Sequence, residues 1–239
     1  MAVALTCAPS SGAMVEDELM YRTASRGDKH MLRRLHEDWF PIRYNENFYE
    51  GLIRGSYDGR PVSHVLATNK EGQVCGCITI STLPSRRCGE DYLIEDAEAF
   101  PNVAYIMTVG VKDEYRRRGV GTKLLQWALA AAERDPSIGA VFLHVITYND
   151  AAIEFYRRNG FEYIRTHEHF YHIRGKDYGC HVYAKAMHDA TLSRTPRGLL
   201  TWLLDALSSL GGSIFSALAS SDEQGAERDA VPVVPDSMV

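Results

Sequence analysis

From residue 20 onward the apolar positions of this chain switch between a period of two and a period near 3.6, and the switches sort it into strands and helices. Residues 20–23 read as a short strand. Asp28 predicts a helix start, with Met31, Leu32 and Leu35 recurring at helical spacing behind it. Trp39-Phe40-Pro41-Ile42 ends that helix, because a proline disfavours helical geometry in the residue before it. Phe48, Leu52 and Ile53 mark a second short helix. Residues 62–68 and 73–83 alternate as strands around Asn69-Lys70-Glu71-Gly72, a hairpin turn by composition. A polar loop over 84–101 leads to 103–111, the most strand-like stretch of the chain.

Leu124, Leu125, Ala128, Leu129 and Ala132 predict a helix over 122–133, and the apolar run 140–146 predicts a buried strand. Asn149 caps a further helix through Ile153, Phe155 and Tyr156, which Gly160 ends. Strands over 161–173 and 179–187 close the body. The order β-α-α-β-β-β-α-β-α-β-β predicts an α/β domain around a mixed sheet, spanning 20–190. Residues 1–19 lack periodicity and read as a flexible arm.

Beyond the body, Leu199, Trp202, Leu203, Ala206, Leu207 and Leu210 form one apolar helical face, and Ile214, Phe215 and Leu218 extend it. Residues 191–219 therefore predict an amphipathic segment. It either lies in a membrane interface, with Arg194 and Arg197 at its edge, or packs on the body of the chain or a second copy. Residues 220–239 read as a disordered acidic tail.

Charge sharpens that division. The net charge is −5, and residues 221–239 carry −4 of it through Asp222, Glu223, Glu227, Asp229 and Asp236 against Arg228. The near-neutral body argues against a nucleic-acid partner. Five cysteines without regular spacing do not form a disulfide framework. Cys75 and Cys77 share one strand face with no further ligand nearby, so they read as small core residues of a reducing compartment. The start of the chain lacks the basic and apolar regions of a signal peptide, and no run approaches a membrane span.

One turn carries chemistry. Arg116-Arg117-Arg118-Gly119-Val120-Gly121 stands between a strand and a helix, where unpartnered helix N–H groups and the helix dipole attract anions. Its glycines admit close approach of a pyrophosphate, its arginines offer charge-assisted hydrogen bonds, and Thr122 adds a hydroxyl. The alternative is a basic, glycine-capped surface turn. One βα unit later comes Asn149-x-x-Ala152-x-x-Phe155-Tyr156, followed by Asn159-Gly160-Phe161.

With both motifs in this order, residues 20–188 resemble the GCN5-related N-acetyltransferase (GNAT) superfamily. The resemblance implies a mixed twisted central sheet with a splayed strand pair and helices on both faces. It implies acetyl-CoA as acyl donor and no metal. It places the donor against Val109, Gly110 and Val111, the turn Arg116, Arg117, Arg118, Gly119, Val120, Gly121 and Thr122, and Asn149 and Tyr156. Tyr156 either protonates the departing thiolate or only packs on pantetheine.

Phe40-Pro41-Ile42-Arg43-Tyr44, Ala104-Tyr105-Ile106-Met107-Thr108-Val109-Gly110 and Leu143-His144-Val145 further resemble protein N-terminal α-amine acetyltransferases, of the membrane-associated NatF type and its close relative, the NatE catalytic subunit. That implies Tyr105 and His144 as the catalytic pair, acting through water on the amine, and direct attack in a ternary complex. The oxyanion would receive an N–H near Val109. Read without the family, the two are core residues satisfied by hydrogen bonds.

Phe40, Pro41, Ile42 and Tyr44 are expected to form one wall of the peptide slot and Phe170-Tyr171 the other, with Met107 lining the first side-chain pocket; for Phe40 the competing reading is ordinary core packing. NatF resemblance implies an N-terminal Met followed by an apolar or basic residue as substrate, the alternative being a NatE-like or lysine-directed enzyme without membrane attachment. It also implies a peripheral protein on the cytosolic face of the Golgi, another intracellular membrane or the plasma membrane, held through 196–219. The 169–180 hairpin is a candidate homodimer contact. His167, His169 and His172 are expected to be solvated, since no carboxylate or cysteine of their own element completes a metal site and strand alternation puts His172 on the opposite face from the other two.

Overall fold

The computed structural model describes residues 19–90 and 92–193. In chain order the elements are β1 (Met20–Arg22), α1 (Lys29–Trp39), α2 (Glu46–Arg54), β2 (Ser56–Tyr57), β3 (Arg60–Thr68), β4 (Val74–Pro84), β5 (Asn102–Val111), α3 (Val120–Glu133), β6 (Ile138–Ile146), α4 (Asp150–Arg158), β7 (Glu162–Ile173) and β8 (Lys176–Ala186). The expected order holds with one addition, the two-residue β2, which pairs with the start of β3. The N-terminal arm before Leu19, the amphipathic segment from 194 and the acidic tail lie outside the described residues.

The main path of the sheet runs β1-β3-β4-β5-β6-β8-β7, antiparallel except for the β5–β6 pair. β6 is buried along its whole length, as its apolar run predicts. Alternation assigns its side chains to two cores. Val141, Leu143 and Val145 face α3 and α4, together with Ile106, Leu124, Leu125 and Tyr156. Ala140 and Phe142 face α1 and α2, together with Leu32, Trp39, Phe48 and Tyr105. Each fully buried Leu or Phe contributes roughly 1.5–3 kcal/mol, so both helical layers hold the sheet firmly.

The local signals operate as read, with one correction. The Asn69 side chain accepts from Gln73 N at 2.8 Å and so closes the β3–β4 turn. Asn149 Oδ1 accepts from Ala152 N at 3.2 Å, capping α4. Asp28 precedes α1 but does not cap it. Its carboxylate instead accepts from Arg22 at 2.8 Å and from Ser25 N and Oγ at 2.7 Å, tying β1 to α1. The body also continues past the expected boundary at 190. Leu192 bridges to Ile94, and Ser193 N donates to Leu93 O at 3.0 Å. Among the described residues no helix is long and apolar enough to cross a membrane.

Gly110 of β5 sits under Trp39 of α1, and a Cβ there would lie 2.0 Å from the indole. Gly121 of α3 would meet only ordinary contact with Phe155, at 3.5 Å. Gly110→Ala is therefore expected to destabilise the protein by about 1–3 kcal/mol or more through overpacking, whereas Gly121→Ala keeps wild-type stability. Chemical denaturation of the two variants checks this; equal stabilities would show that Trp39 does not seal this face.

Candidate active site

Strand geometry opens the site. β5 and β6 pair only from Asn102↔Ile138 to Tyr105↔Phe142. Beyond that point β5 continues to Val111 bonded to β4 alone, while β6 continues to Ile146 bonded to β8. Main-chain groups that β5 turns toward β6 past Tyr105 thus have no strand partner, and a wedge forms between the two strands. A register shift in the β4–β5 ladder, where Thr79 faces Thr108 and Ile80 faces Ile106, leaves Met107 as an extra residue on β5. Met107 is buried and lines a small pocket with Tyr105, Leu83, Ser81 and the β2–β3 hairpin residues Tyr57, Asp58 and Arg60.

The Arg-Gly turn lies at the end of β5. Arg117 and Gly119 both take left-handed backbone, with φ of 62° and 79°, a conformation that only glycine adopts without strain. Gly119 precedes α3, whose first internal hydrogen bond is Lys123 N to Gly119 O at 3.0 Å. The N–H groups of Val120, Gly121 and Thr122 therefore have no helical acceptor, and the positive end of the α3 dipole is added to them.

The arginines divide their work. Arg116 folds inward, donating from Nε to Val111 O at 3.0 Å and pairing with Asp113 at 2.7 Å. It braces the turn. Arg117 and Arg118 are exposed, and the Arg118 guanidinium lies over the Tyr115 ring.

Tyr105 and His144 lie on adjacent strands, facing α1 and α2. The Tyr105 hydroxyl is 3.2 Å from His144 Nδ1, and His144 Nε2 is 2.7 Å from Glu90 Oε1. Glu90 is 2 % exposed, on the loop between β4 and β5. Burial pushes its carboxyl up, but hydrogen bonds from His144 and His167 outweigh this and hold it below the usual carboxylate range. Burial lowers His144 against the opposing pull of Glu90, so the ring is neutral near pH 7. Burial raises the Tyr105 phenol well above its ordinary value.

One arrangement of protons fits these states. Nε2–H donates to ionised Glu90, and Nδ1 accepts from the Tyr105 O–H. The result is a base with its tautomer fixed by a carboxylate and its free lone pair aimed at a phenol.

Glu90 is the residue that sequence reasoning missed. It stands among Asp91, Glu95, Asp96 and Glu98 in a polar loop, and nothing local marks it for burial. The expectation that all three hairpin histidines are solvated is also corrected. His167 Nε2 lies 2.9 Å from Glu90 Oε1, whereas His169 and His172 face Asp177 near the surface. The alternation that set His172 opposite the other two fails because the β7–β8 register shifts between His167 and Tyr171.

The two expected walls meet. Ile42 packs with Tyr171, Ile173 and Ile146, and Phe170 stacks on His144 with ring centroids 4.5 Å apart. Pro41 is exposed between the two buried residues Phe40 and Ile42. Phe40 is 4 % exposed among His36, Trp39 and Tyr44, so it is core.

The hydroxyls of Tyr44, Tyr156 and Tyr171 are buried without a hydrogen-bond partner among the described residues. Burial raises all three phenols, and they lie near enough for Tyr105 to add to the effect at each. Unsatisfied buried hydroxyls flanking a wedge fit a ligand with polar groups along its length. Wedge, left-handed turn and exposed helix N–H groups likewise fit a pantetheine diphosphate. All four described cysteines are buried, and burial pushes the Cys77 and Cys180 thiols up to about 12, leaving them protonated.

Comparison with known proteins agrees with this reading. A profile described as Acetyltransferase (GNAT) family matches residues 29–161. The chain is 25% identical over 219 residues to histone acetyltransferase MCC1 of Arabidopsis thaliana, covering 90% of this chain and 89% of that one. It is 33% identical over 141 residues to N-alpha-acetyltransferase 50 of Danio rerio, covering 59% and 72%. The crystal structure of Arabidopsis thaliana NAA60 in complex with a bisubstrate analogue superposes with a TM-score of 0.65 at 26% identity, covering 71% of this chain and 98% of that one. The family profile spans more than half of the sequence, and the chain belongs to the GNAT family as an acetyl-CoA-dependent acetyltransferase.

Proposed function

We propose that the enzyme acetylates the N-terminal α-amine of proteins that begin with Met followed by an apolar or basic residue. The observation that carries this reading is the chain Tyr105–His144–Glu90 at the point where β5 and β6 part. Likeness to N-alpha-acetyltransferase 50 and to NAA60 supports the α-amine as acceptor. The buried Met107 beside Tyr105 suits an unbranched apolar first side chain, since thioether packs well on thioether and ring.

Acetyl-CoA would supply the acetyl thioester. The neutral amine attacks its carbonyl carbon, the C–S bond breaks as the amide forms, and CoA leaves as the thiol, taking up the proton that the amine gave to the site. The N–H groups of Val120, Gly121 and Thr122 would hold its diphosphate and the wedge near Tyr156 its pantetheine arm. The protein's own part is proton removal. A free α-amine has a pKa near 8 and must be neutral to attack. As the amine loses its proton to the Tyr105 oxygen, directly or through water, the phenol passes its own proton to His144 Nδ1. The imidazolium so formed is held by Glu90, which compensates its charge in a site of low dielectric. The buried thiols of Cys75, Cys77 and Cys180, all raised by burial, favour direct transfer over an acyl-cysteine route.

A lysine-directed activity is the second reading, favoured by the likeness to a protein called a histone acetyltransferase. The two separate in one assay. A peptide starting Met-Lys or Met-Val is expected to consume acetyl-CoA, and the same peptide with a blocked N-terminus is not. Equal turnover of the blocked peptide through an internal lysine refutes the α-amine reading.

Tyr105→Phe is expected to lower kcat by about 10²-fold or more, the scale of one general acid–base contribution, with KM for acetyl-CoA nearly unchanged. Glu90→Gln removes the group that raises His144. Its kcat is expected to fall, and the acidic limb of the kcat profile to move to lower pH, because a weaker base stays neutral further into acid. A limb that moves upward, or does not move, overturns the assignment of His144 as the acceptor.

We also infer that residues 196–219 hold the enzyme peripherally on a cytosolic membrane face, from the apolar stripe of Leu199, Trp202, Leu203, Ala206, Leu207 and Leu210. Truncation after Ser193 is expected to release the protein from liposomes and leave peptide acetylation intact, read by co-sedimentation and turnover together. Undiminished sedimentation of the truncated chain overturns the inference.

A further inference from the structure

Three side chains from three separate elements converge on one spot beside the catalytic tyrosine. Glu90 comes from the β4–β5 loop, His144 from β6 and His167 from β7. One ligand atom of each, a carboxylate oxygen and two imidazole nitrogens, lies within 4.8 Å of the others. Both Nε2 atoms address the same oxygen, Oε1 of Glu90, at 2.7 and 2.9 Å. We propose that Glu90, His144 and His167 form a zinc-binding site whose occupancy switches the enzyme off. The site stands on this geometry alone; the inhibition rests on the α-amine acetyltransferase reading given above.

The donor set argues for zinc. Two imidazoles and one carboxylate, with the fourth position left open, are the ligand complement of a tetrahedral zinc ion that keeps one exchangeable site. A majority of nitrogen donors selects zinc and its neighbours over magnesium or calcium, which take oxygen. Ligands around a tetrahedral zinc stand about 3.3 Å apart, given bonds of ~2.0–2.1 Å. The observed 2.7 and 2.9 Å therefore need to open by about half an ångström, and Glu90, on a loop, is the group able to shift. Phe170 stacks over both rings, with centroids 4.5 and 5.8 Å away, and shields the cluster on one side. The His167 side chain is 37% exposed and provides the entrance. His167 Nε2 also lies 3.1 Å from Oε2, so it spans both oxygens of the carboxylate, and Arg165 Nε stands farther off, 3.9 Å from Oε2.

Inhibition follows from the two nitrogens of one ring. A neutral imidazole carries a single N–H. When Nε2 of His144 binds zinc, its proton moves to Nδ1, the atom that faces the Tyr105 hydroxyl at 3.2 Å. Nδ1 then donates and no longer accepts. Glu90 is likewise withdrawn to the metal, so the proton leaving the amine has no destination. No bond to the protein breaks, and removal of zinc restores the original tautomer.

The experiment uses the full-length enzyme, stripped with a chelator and dialysed. Zinc is titrated against a chromophoric zinc chelator, and thermal stability and peptide acetylation are followed in parallel. One zinc per chain is expected, with a rise in Tm, loss of turnover in step with occupancy and full recovery on adding EDTA. Magnesium is expected to do none of these. His167→Ala and His167→Gln should each weaken zinc binding by about tenfold or more, since loss of even an outer-shell partner of a metal ligand costs about that much. His172→Ala, whose ring faces Asp177 instead, and Cys180→Ser, opposite His167 in the β7–β8 ladder, should bind like wild type.

Equal zinc affinity in wild type and in a folded His167 variant overturns the site, as does loss of binding in Cys180→Ser. Stoichiometric binding without loss of turnover overturns the switch. If zinc binds through His167 but the stripped enzyme acetylates no free N-terminus, the site is upheld and the functional reading is the part that fails.

Discussion

The parting of β5 from β6 is the constraint on which the rest of the molecule depends. A parallel pair that bonded along its full length would satisfy its main-chain groups and leave no room between the strands. Here pairing stops at Tyr105↔Phe142, and each strand is carried onward by its other neighbour. The sheet tolerates the split because both helical layers clamp it, α3 and α4 from one face and α1 and α2 from the other. Alternation then places Tyr105 and His144 on the α1/α2 side and Tyr156 on the α3/α4 side. The wedge therefore lies between the Tyr105–His144 pair and the buried phenol of Tyr156. It also delivers the chain directly into the left-handed turn before α3, so one departure from regular pairing sets the proposed donor cleft beside the proposed base.

Glu90 supplies the second constraint, which is electrostatic. A buried histidine surrounded by aromatic rings is a poor base, because burial disfavours its charged form. His36 shows the outcome without a carboxylate: fully buried beside Cys77, it is pushed down to about 3. His144 has comparable burial and a carboxylate at 2.7 Å. The difference between these two buried histidines is thus the neighbour, which fits His144 for the proposed role and comes from a loop 54 residues distant in sequence.

What the sequence made legible follows from range. Apolar periodicity is local, and it located the helices and strands predicted between residues 20 and 187 to within a few residues. The Arg-Gly turn is a local motif too, and one of its two left-handed residues, Gly119, is the glycine that permits it, while the other, Arg117, carries no such local signal. Register is not local. The extra residue at Met107 and the shift between His167 and Tyr171 arise from pairing with distant strands, and the second of these undid the face assigned to His172. Arg116 shows the same limit: its place in the motif identified it as a phosphate ligand, whereas in the fold it braces Val111 and Asp113. Glu90 lay furthest from view, since burial of one acid among five in a polar loop is decided wholly by the tertiary fold.

The phenols supply a physical ground for the proposed preference for an extended N-terminus over an internal lysine. A lysine side chain reaches its amine through four methylenes and brings no polar group into the slot. An N-terminus brings its first peptide units, with donors and acceptors close behind the amine. The hydroxyls of Tyr44 and Tyr171 are buried near Tyr105 and unsatisfied among the described residues, and each such group costs roughly 1–3 kcal/mol while it stays unpaired. Peptide carbonyls entering with an α-amine can pair them; methylenes cannot. Discrimination of this kind is steep, because the wrong acceptor leaves buried polar groups without partners while still filling the space.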